Sequence, residues 1–308
     1  MCIRDRQNDI VKAFGFIHAV LREGADVYRI LEPPNVVLTT VEEGTTIYAG
    51  GVFLIPESYA WIIDMVDDSF PTVTYHVLQE EAVIDTSQIF YIAEAPDILI
   101  IYGFYGHTHE LLDDMGIPYT MVYTSDVSAD PSILYGYDVI IDDCPGWYGD
   151  IPYNVRDVLR AVVASGAIVV FTDIAMWDGV VTFPDYVTLT NNLEGVYPCD
   201  VHNPPAPPSS GFGGEFLSQY WGPSTISIYT MGGGNVMESI LDPSVRIFVD
   251  SSDYDGGTYR ILDAYFPYGE GWVEMVAFHP PEQTEEYTGD PYSYNAVAFI
   301  YGNKFIKA

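Results

Sequence analysis

The segment His107-Thr108-His109-Glu110 sets two imidazoles and a carboxylate within four residues, donor types that hold a borderline cation such as zinc. A metal site needs three or four convergent donors, and only His279 is expected at the same edge. His107, His109 and Glu110 therefore read either as an incomplete metal site or as solvated loop residues. Cys144 is a possible sulfur nucleophile, but Asp142 and Asp143 precede it and two adjacent carboxylates raise a thiol's pKa, the opposite of activation. Asp250-Ser-Ser-Asp-Tyr-Asp-Gly-Gly carries the carboxylates of a calcium loop in the wrong register. With Asp253 and Asp255 at the third and fifth ligand positions, the first falls on Ser251 and the twelfth on Leu262, so a hairpin turn is the better reading. The clusters Gly211–Gly214 and Gly232–Gly234 spell neither a dinucleotide nor a Walker fingerprint, and no cofactor is expected.

The elements that position these residues follow from apolar spacing. Ile10, Val11, Phe14, Ile17, Val20 and Leu21 recur at helical intervals up to Gly24, a C-cap residue. Strands are expected at 26–31, 36–41, 45–55 (with a turn or bulge at Gly50-Gly51), 72–78 and 88–92, and a helix at 59–66. From Asp97 the rhythm becomes strand (98–102), helix (110–115), strand (119–123), strand (139–141), helix (155–164), strand (167–171). Runs apolar on both faces require a parallel sheet between helices. The expected architecture is three-layer αβα with a mostly parallel sheet (residues 95–308), preceded by a small α/β unit (residues 1–94). Tyr197–Gly214, with its Pro-Pro-Ala-Pro-Pro run, is expected as an extended surface loop. Strands at 225–230, 245–249, 258–266 and 272–278 and a closing helix within 292–305 complete the chain.

Eleven basic against 44 acidic side chains give the 308 residues a formal charge of −33. Such a shell repels phosphate backbones and anionic lipid, so nucleic acid is not an expected partner. It stays hydrated in high salt, which suits a saline or exported setting. Three cysteines make no disulfide framework, and no apolar run is long enough to span a bilayer, so membrane insertion is not expected. Met1–Arg6 resembles translated adapter sequence at the start of metagenomic fragments. The true N-terminus is then expected to lie outside the sequence, so that absence of a signal says nothing about export, and an upstream domain of the same chain is a candidate partner.

The order of several short motifs resembles the class I glutamine amidotransferase-like superfamily. Within it the likeness is greatest to the non-catalytic tail domains appended to secreted zinc carboxypeptidases. The stretches that carry it are Ala19–Arg29, Tyr48–Pro56, Ile98–Tyr102, Leu111–Tyr119, Tyr137–Asp143 and Val276–Pro280. The resemblance implies a nucleophilic cysteine on a tight turn between a core strand and the next helix, with a distant His-Pro-Glu as base and orienter. Here the strand Ala167–Thr172 leads to Asp173, and the downstream motif is His279-Pro280-Pro281-Glu282, whose extra proline is expected to rotate Glu282 away from His279. Cys144 follows the preceding strand and is expected as a partly buried loop residue. The implied function is a degenerate, non-catalytic binding or structural domain of an acidic extracellular or cell-surface protein. Its pocket, formed by His107, His109, Cys144, Trp147, Asp173, Trp177 and His279, would take a small molecule, peptide or glycan. The alternatives are a hydrolase using Cys144 with His279, and an accessory domain of a zinc carboxypeptidase.

Overall fold

The computed structural model describes residues 2–3, 10–30, 35–41, 44–49, 52–78, 89–92, 94–202, 225–291 and 293–302. In chain order the elements are β1 (Cys2–Ile3), α1 (Ile10–Arg22), β2 (Val27–Ile30), β3 (Asn35–Thr40), β4 (Gly44–Ala49), β5 (Phe53–Leu54), α2 (Ala60–Val66), β6 (Tyr75–His76) and β7 (Ile89–Ile92). They continue with β8 (Ile98–Tyr102), α3 (Thr108–Met115), β9 (Thr120–Tyr123), α4 (Thr124–Ala129), β10 (Val139–Asp142), α5 (Tyr153–Ala164), β11 (Ile168–Thr172) and α6 (Met176–Thr182). Then follow β12 (Val187–Asn191), β13 (Gly195–Val201), β14 (Thr225–Thr230), β15 (Asn235–Ile240), β16 (Arg246–Tyr254), β17 (Thr258–Tyr268), β18 (Gly271–Val276) and the closing helix α7 (Ser293–Gly302).

The parallel part of the large sheet runs β9-β8-β10-β11-β18, so its order reverses between β8 and β10. Right-handed crossovers on either side of that reversal send α3 to one face and α5 to the other, the physical origin of the three layers. Helices α4, α5 and α6 pack together on one side, while α1 packs against α3 and α7 on the other. Gly15 permits that approach: a Cβ there would lie 1.7 Å from the Met115 carbonyl oxygen. β8 and β10 are buried on both faces, as their continuous Ile/Val/Leu runs require. Beyond β18 the sheet continues antiparallel through β17, β16, β13 and β14, with β12 and β15 as a side ribbon.

The first 94 residues build a separate sheet, β6-β1-β5-β2-β7, and the hairpin β3-β4. One apolar core nevertheless runs from Phe14, Ile17 and Ile62 to Ile100, Val170 and Met275.

Three expectations need correction. Gly195–Val201 is strand rather than loop. It pairs with β14 from Gly195 to Asp200 and with β16 only at Asp200 and Val201, so Pro198 lies beyond the end of the β16 ladder and its absent N–H costs no ladder bond on that side; Ser251 of β16 donates its hydroxyl to the Pro198 carbonyl instead. The strand expected over 72–78 shrinks to Tyr75–His76. β12 and β15 were not anticipated at all. Gly50-Gly51, 203–224 with its proline run and Gly211–Gly214, and residues 303–305 lie outside the described residues. The calcium-loop segment is the anticipated hairpin: β16 and β17 pair antiparallel around Asp255, Gly256 and Gly257, all with positive φ.

Candidate functional site

Parallel strands β8, β10, β11 and β18 end almost level. Asp142 pairs with Ile101 and Phe171, and Thr172 pairs with Val276. The next few residues of each strand therefore meet above one carboxyl edge, at the reversal point where open α/β sheets bind ligands. Asp173 follows β11 directly with φ +46°, a left-handed conformation that a non-glycine residue adopts at a cost of about 1 kcal/mol or more. A strained turn between a strand and a helix is the geometry that projects a nucleophile, and here it projects a carboxylate. Its Oδ1 accepts a hydrogen bond from the Asn235 amide at 3.2 Å, and its Oδ2 faces the Cys144 thiol at 3.5 Å.

The loop after β10 is locked from below. Asp143, fully buried, accepts from the Thr108 amide (3.1 Å), the Thr108 hydroxyl (2.9 Å) and the Thr172 hydroxyl (2.8 Å). The Cys144 amide in turn donates to Thr172 Oγ1 at 3.0 Å. Gly146 donates to the Asp143 carbonyl and Tyr148 to that of Pro145, while Trp147 and Gly149 donate to the two oxygens of Asp178 at 2.6 and 2.8 Å. Every N–H between Cys144 and Gly149 is thus spent inside the protein, leaving no amide there for an oxyanion. Asp178 shares a buried site with Asp142. Burial raises the pKa of Asp178 to about 7 and, with the repulsion of Asp178 and Asp143, lifts Asp142 well above the carboxylate range.

Cys144 is completely buried rather than partly so. Burial pushes its thiol above the ordinary value; His279 pulls it back and Asp173 adds to the rise, while the Ile174 amide faces the sulfur. His279, also buried, lies with Nε2 3.4 Å from Asp173 Oδ2 and Nδ1 3.3 Å from Glu282 Oε2. These are charge contacts: neither ring nitrogen reaches hydrogen-bonding geometry with a partner. Burial opposes a charge on the ring, yet Asp173, Cys144 and Glu282 together outweigh it and hold the imidazole pKa well above its usual range. Glu282 therefore does face His279, contrary to the rotation expected from the extra proline. Pro280–Glu282 forms a 3₁₀ turn, whose three-residue period returns the third residue after His279 to the same side.

Donor atoms of Cys144, Asp173 and His279 all lie within 4.8 Å of one another. The triplet His107, His109 and Glu110 does not converge. His107 Nδ1 pairs with Glu110 at 2.9 Å, and the His109 ring sits against Tyr102. His107 still reaches the cluster's flank, its ring 6.4 Å from that of His279. Trp147 is half-buried and its indole N–H donates to Ser128, whereas Trp177 is 42% exposed. Phe104, Tyr105 and Tyr148 are exposed on the neighbouring loops. Sequence reasoning missed Gly234 and Asn235. A Cβ at Gly234 would stand 1.6 Å from Asp173 Oδ1, so the glycine is what lets the β15 turn reach the carboxylate. The glycine run was the available signal.

Fold and site together define a class: an αβα protein with an acid on its strand-to-helix elbow, flanked by a buried thiol and a buried imidazole. No family model matches the chain, and no curated protein matches it in sequence. Solved structures similar to it include a Thermoplasma acidophilum protein described as a component of a GMP synthase (15% identity, TM-score 0.45, covering 69% of this chain and 94% of that one). Others are a ThuA-like protein of Bacteroides uniformis (13%, 0.43, 73% and 94%) and a cytoplasmic protein of Salmonella typhimurium (14%, 0.43, 68% and 99%). The αβα architecture stands on this chain's own strand order and not on those likenesses.

Proposed function

We propose that this chain is an amidotransferase-like binding module that has lost acyl-transfer chemistry. The observation that carries the reading is Asp173 on the strained elbow after β11, where sulfur would be needed. The fully buried Cys144 and the spent amides of its loop support it. Exposed Phe104, Tyr105 and Tyr148 on the carboxyl-edge loops, with Trp177 at the start of α6, support an aromatic-lined ligand surface suited to a peptide or glycan. The acidic shell supports an exported or saline setting, and the motif order supports a place beside a zinc carboxypeptidase domain; flanking sequence from the source genome tests that placement.

A hydrolase using Cys144 and His279 is favoured by one observation, the nearness of sulfur and imidazole. An electrophilic glutamine analogue, a diazo-ketone that alkylates amidotransferase thiols, separates the two readings. The binding module leaves the intact protein's mass unchanged; a single adduct mapping to Cys144 overturns it in favour of the hydrolase.

A further inference from the structure

Three buried donors of different chemistry, a thiol, a carboxylate and an imidazole, converge on one point, and the imidazole leaves both of its ring nitrogens unspent. His279 is 2% exposed, and neither of its ring nitrogens has a hydrogen-bond partner. Asp173 anchors Oδ1 on the Asn235 amide, and its Oδ2, which accepts from the Cys144 thiol, also faces His279. For tetrahedral zinc with ordinary bond lengths, the sulfur–oxygen edge is about 3.5 Å and the nitrogen–oxygen edge about 3.3 Å. The observed separations are 3.5 Å and 3.4 Å.

We propose that Cys144 Sγ, Asp173 Oδ2 and His279 Nε2 form a binding site for a borderline-soft divalent cation of the zinc type, with Glu282 as the carboxylate that orients His279. Binding releases the Cys144 proton to water; the metal–sulfur bond replaces the S–H bond, and His279 binds as neutral imidazole through Nε2. Its Nδ1–H then donates to Glu282, 3.3 Å away, the carboxylate–histidine–metal arrangement that fixes tautomer and ring orientation. The Ile174 amide facing the sulfur supplies the N–H donor that a bound thiolate needs. The nearby Asp143 is committed elsewhere, since it accepts three hydrogen bonds. Thiolate and imidazole select zinc, cobalt or nickel over magnesium and calcium. Three protein ligands leave a fourth vertex for water or an exogenous anion. The site goes beyond the binding-module reading and does not depend on it, since metal binding is read from absorption and metal content and not from acylation of Cys144.

The test is titration of the chelator-treated full-length chain with Co²⁺, followed by displacement with Zn²⁺. The expected result is one equivalent bound, with a near-ultraviolet sulfur-to-cobalt band and intense visible absorption of four-coordinate cobalt, both abolished by zinc. Cys144→Ser removes the band, Asp173→Asn and His279→Gln weaken binding, and Cys199→Ser leaves it intact. Glu282→Gln, at a partly exposed residue whose change spares the core, weakens affinity by about 10- to 100-fold. A weak octahedral spectrum alone, from metal on surface carboxylates, overturns the proposal. So does a sulfur band that survives Cys144→Ser, or, should Cys144→Ser fail to fold, affinity unchanged in Glu282→Gln.

Discussion

Asp173 and His279 face each other across the ends of β11 and β18, Oδ2 to Nε2 at 3.4 Å, one and three residues beyond the last rung, Thr172 opposite Val276. The contact ties the elbow to the segment after β18, and the β15 turn closes over it through Gly234 and Asn235. Gly234→Ala puts a methyl group into the Asp173 carboxylate. It is expected to cost about 1–3 kcal/mol of stability by urea unfolding, the usual range for an overpacked site. Gly136→Ala, with open space around the new Cβ, serves as the control and stays within about 0.5 kcal/mol of the parent. Equal effects at the two glycines would count against the close approach.

Asp143 carries the Cys144 loop through three hydrogen bonds from buried donors. Asp143→Ala leaves two hydroxyls and an amide without their acceptor and is expected to destabilise the chain by about 3 kcal/mol or more. Asp143→Asn retains one acceptor oxygen and should lose less. Denaturant midpoints for the two variants check this ordering, which a merely solvated Asp143 would not produce.

Acid sensitivity is expected from His18, which is buried on α1 with Nε2 3.4 Å from the Pro96 carbonyl. Burial lowers its pKa from 6.5 to about 4, the carbonyl contact offsetting part of the fall. Between those values the unfolded chain binds the proton and the folded chain does not. The stabilisation is therefore complete above the unfolded pKa and lost as pH falls through the folded one, a span worth about 3 kcal/mol. His18→Leu removes the titration. Its stability difference between neutral and acidic pH should be smaller than the parent's by that amount, and parallel acid loss in both proteins would refute the assignment.

The formal charge of −33 makes the folded state repel itself. Raising NaCl from about 10 mM to about 150 mM shortens the screening length from about 30 Å to about 8 Å. Tm is expected to rise over that range, where salting-out is small; a flat or falling Tm would show that the carboxylates are already neutralised by their placement.

How much of this was legible depends on range. β8, β10 and β11 announce themselves as continuous apolar runs, and α1 and α5 by period, because local pattern and tertiary burial agree there. β13 was hidden by Pro198, which is tolerated because the ladder between β13 and β16 is confined to Asp200 and Val201. β15 buries Asn235, Val236 and Met237 but exposes Glu238, Ser239 and Ile240, an apolar run too short to betray it. The acid on the elbow was readable from its place after Thr172. The return of Glu282 to His279 was not, because it depends on a 3₁₀ turn rather than on residue count. The Asn235 amide on Asp173 spans 62 residues and leaves no local trace beyond the neighbouring glycines.

The central claim is that the thiol of this scaffold is sealed and the elbow carries an acid in its place. Timed iodoacetamide labelling of the native chain at neutral pH, with peptide mapping at Cys144, tests it most directly. The account predicts that Cys144 labels orders of magnitude more slowly than free cysteine until the chain is unfolded, and then at the ordinary rate. Native labelling as fast as or faster than free cysteine would contradict it and show an exposed, activated sulfur at the carboxyl edge.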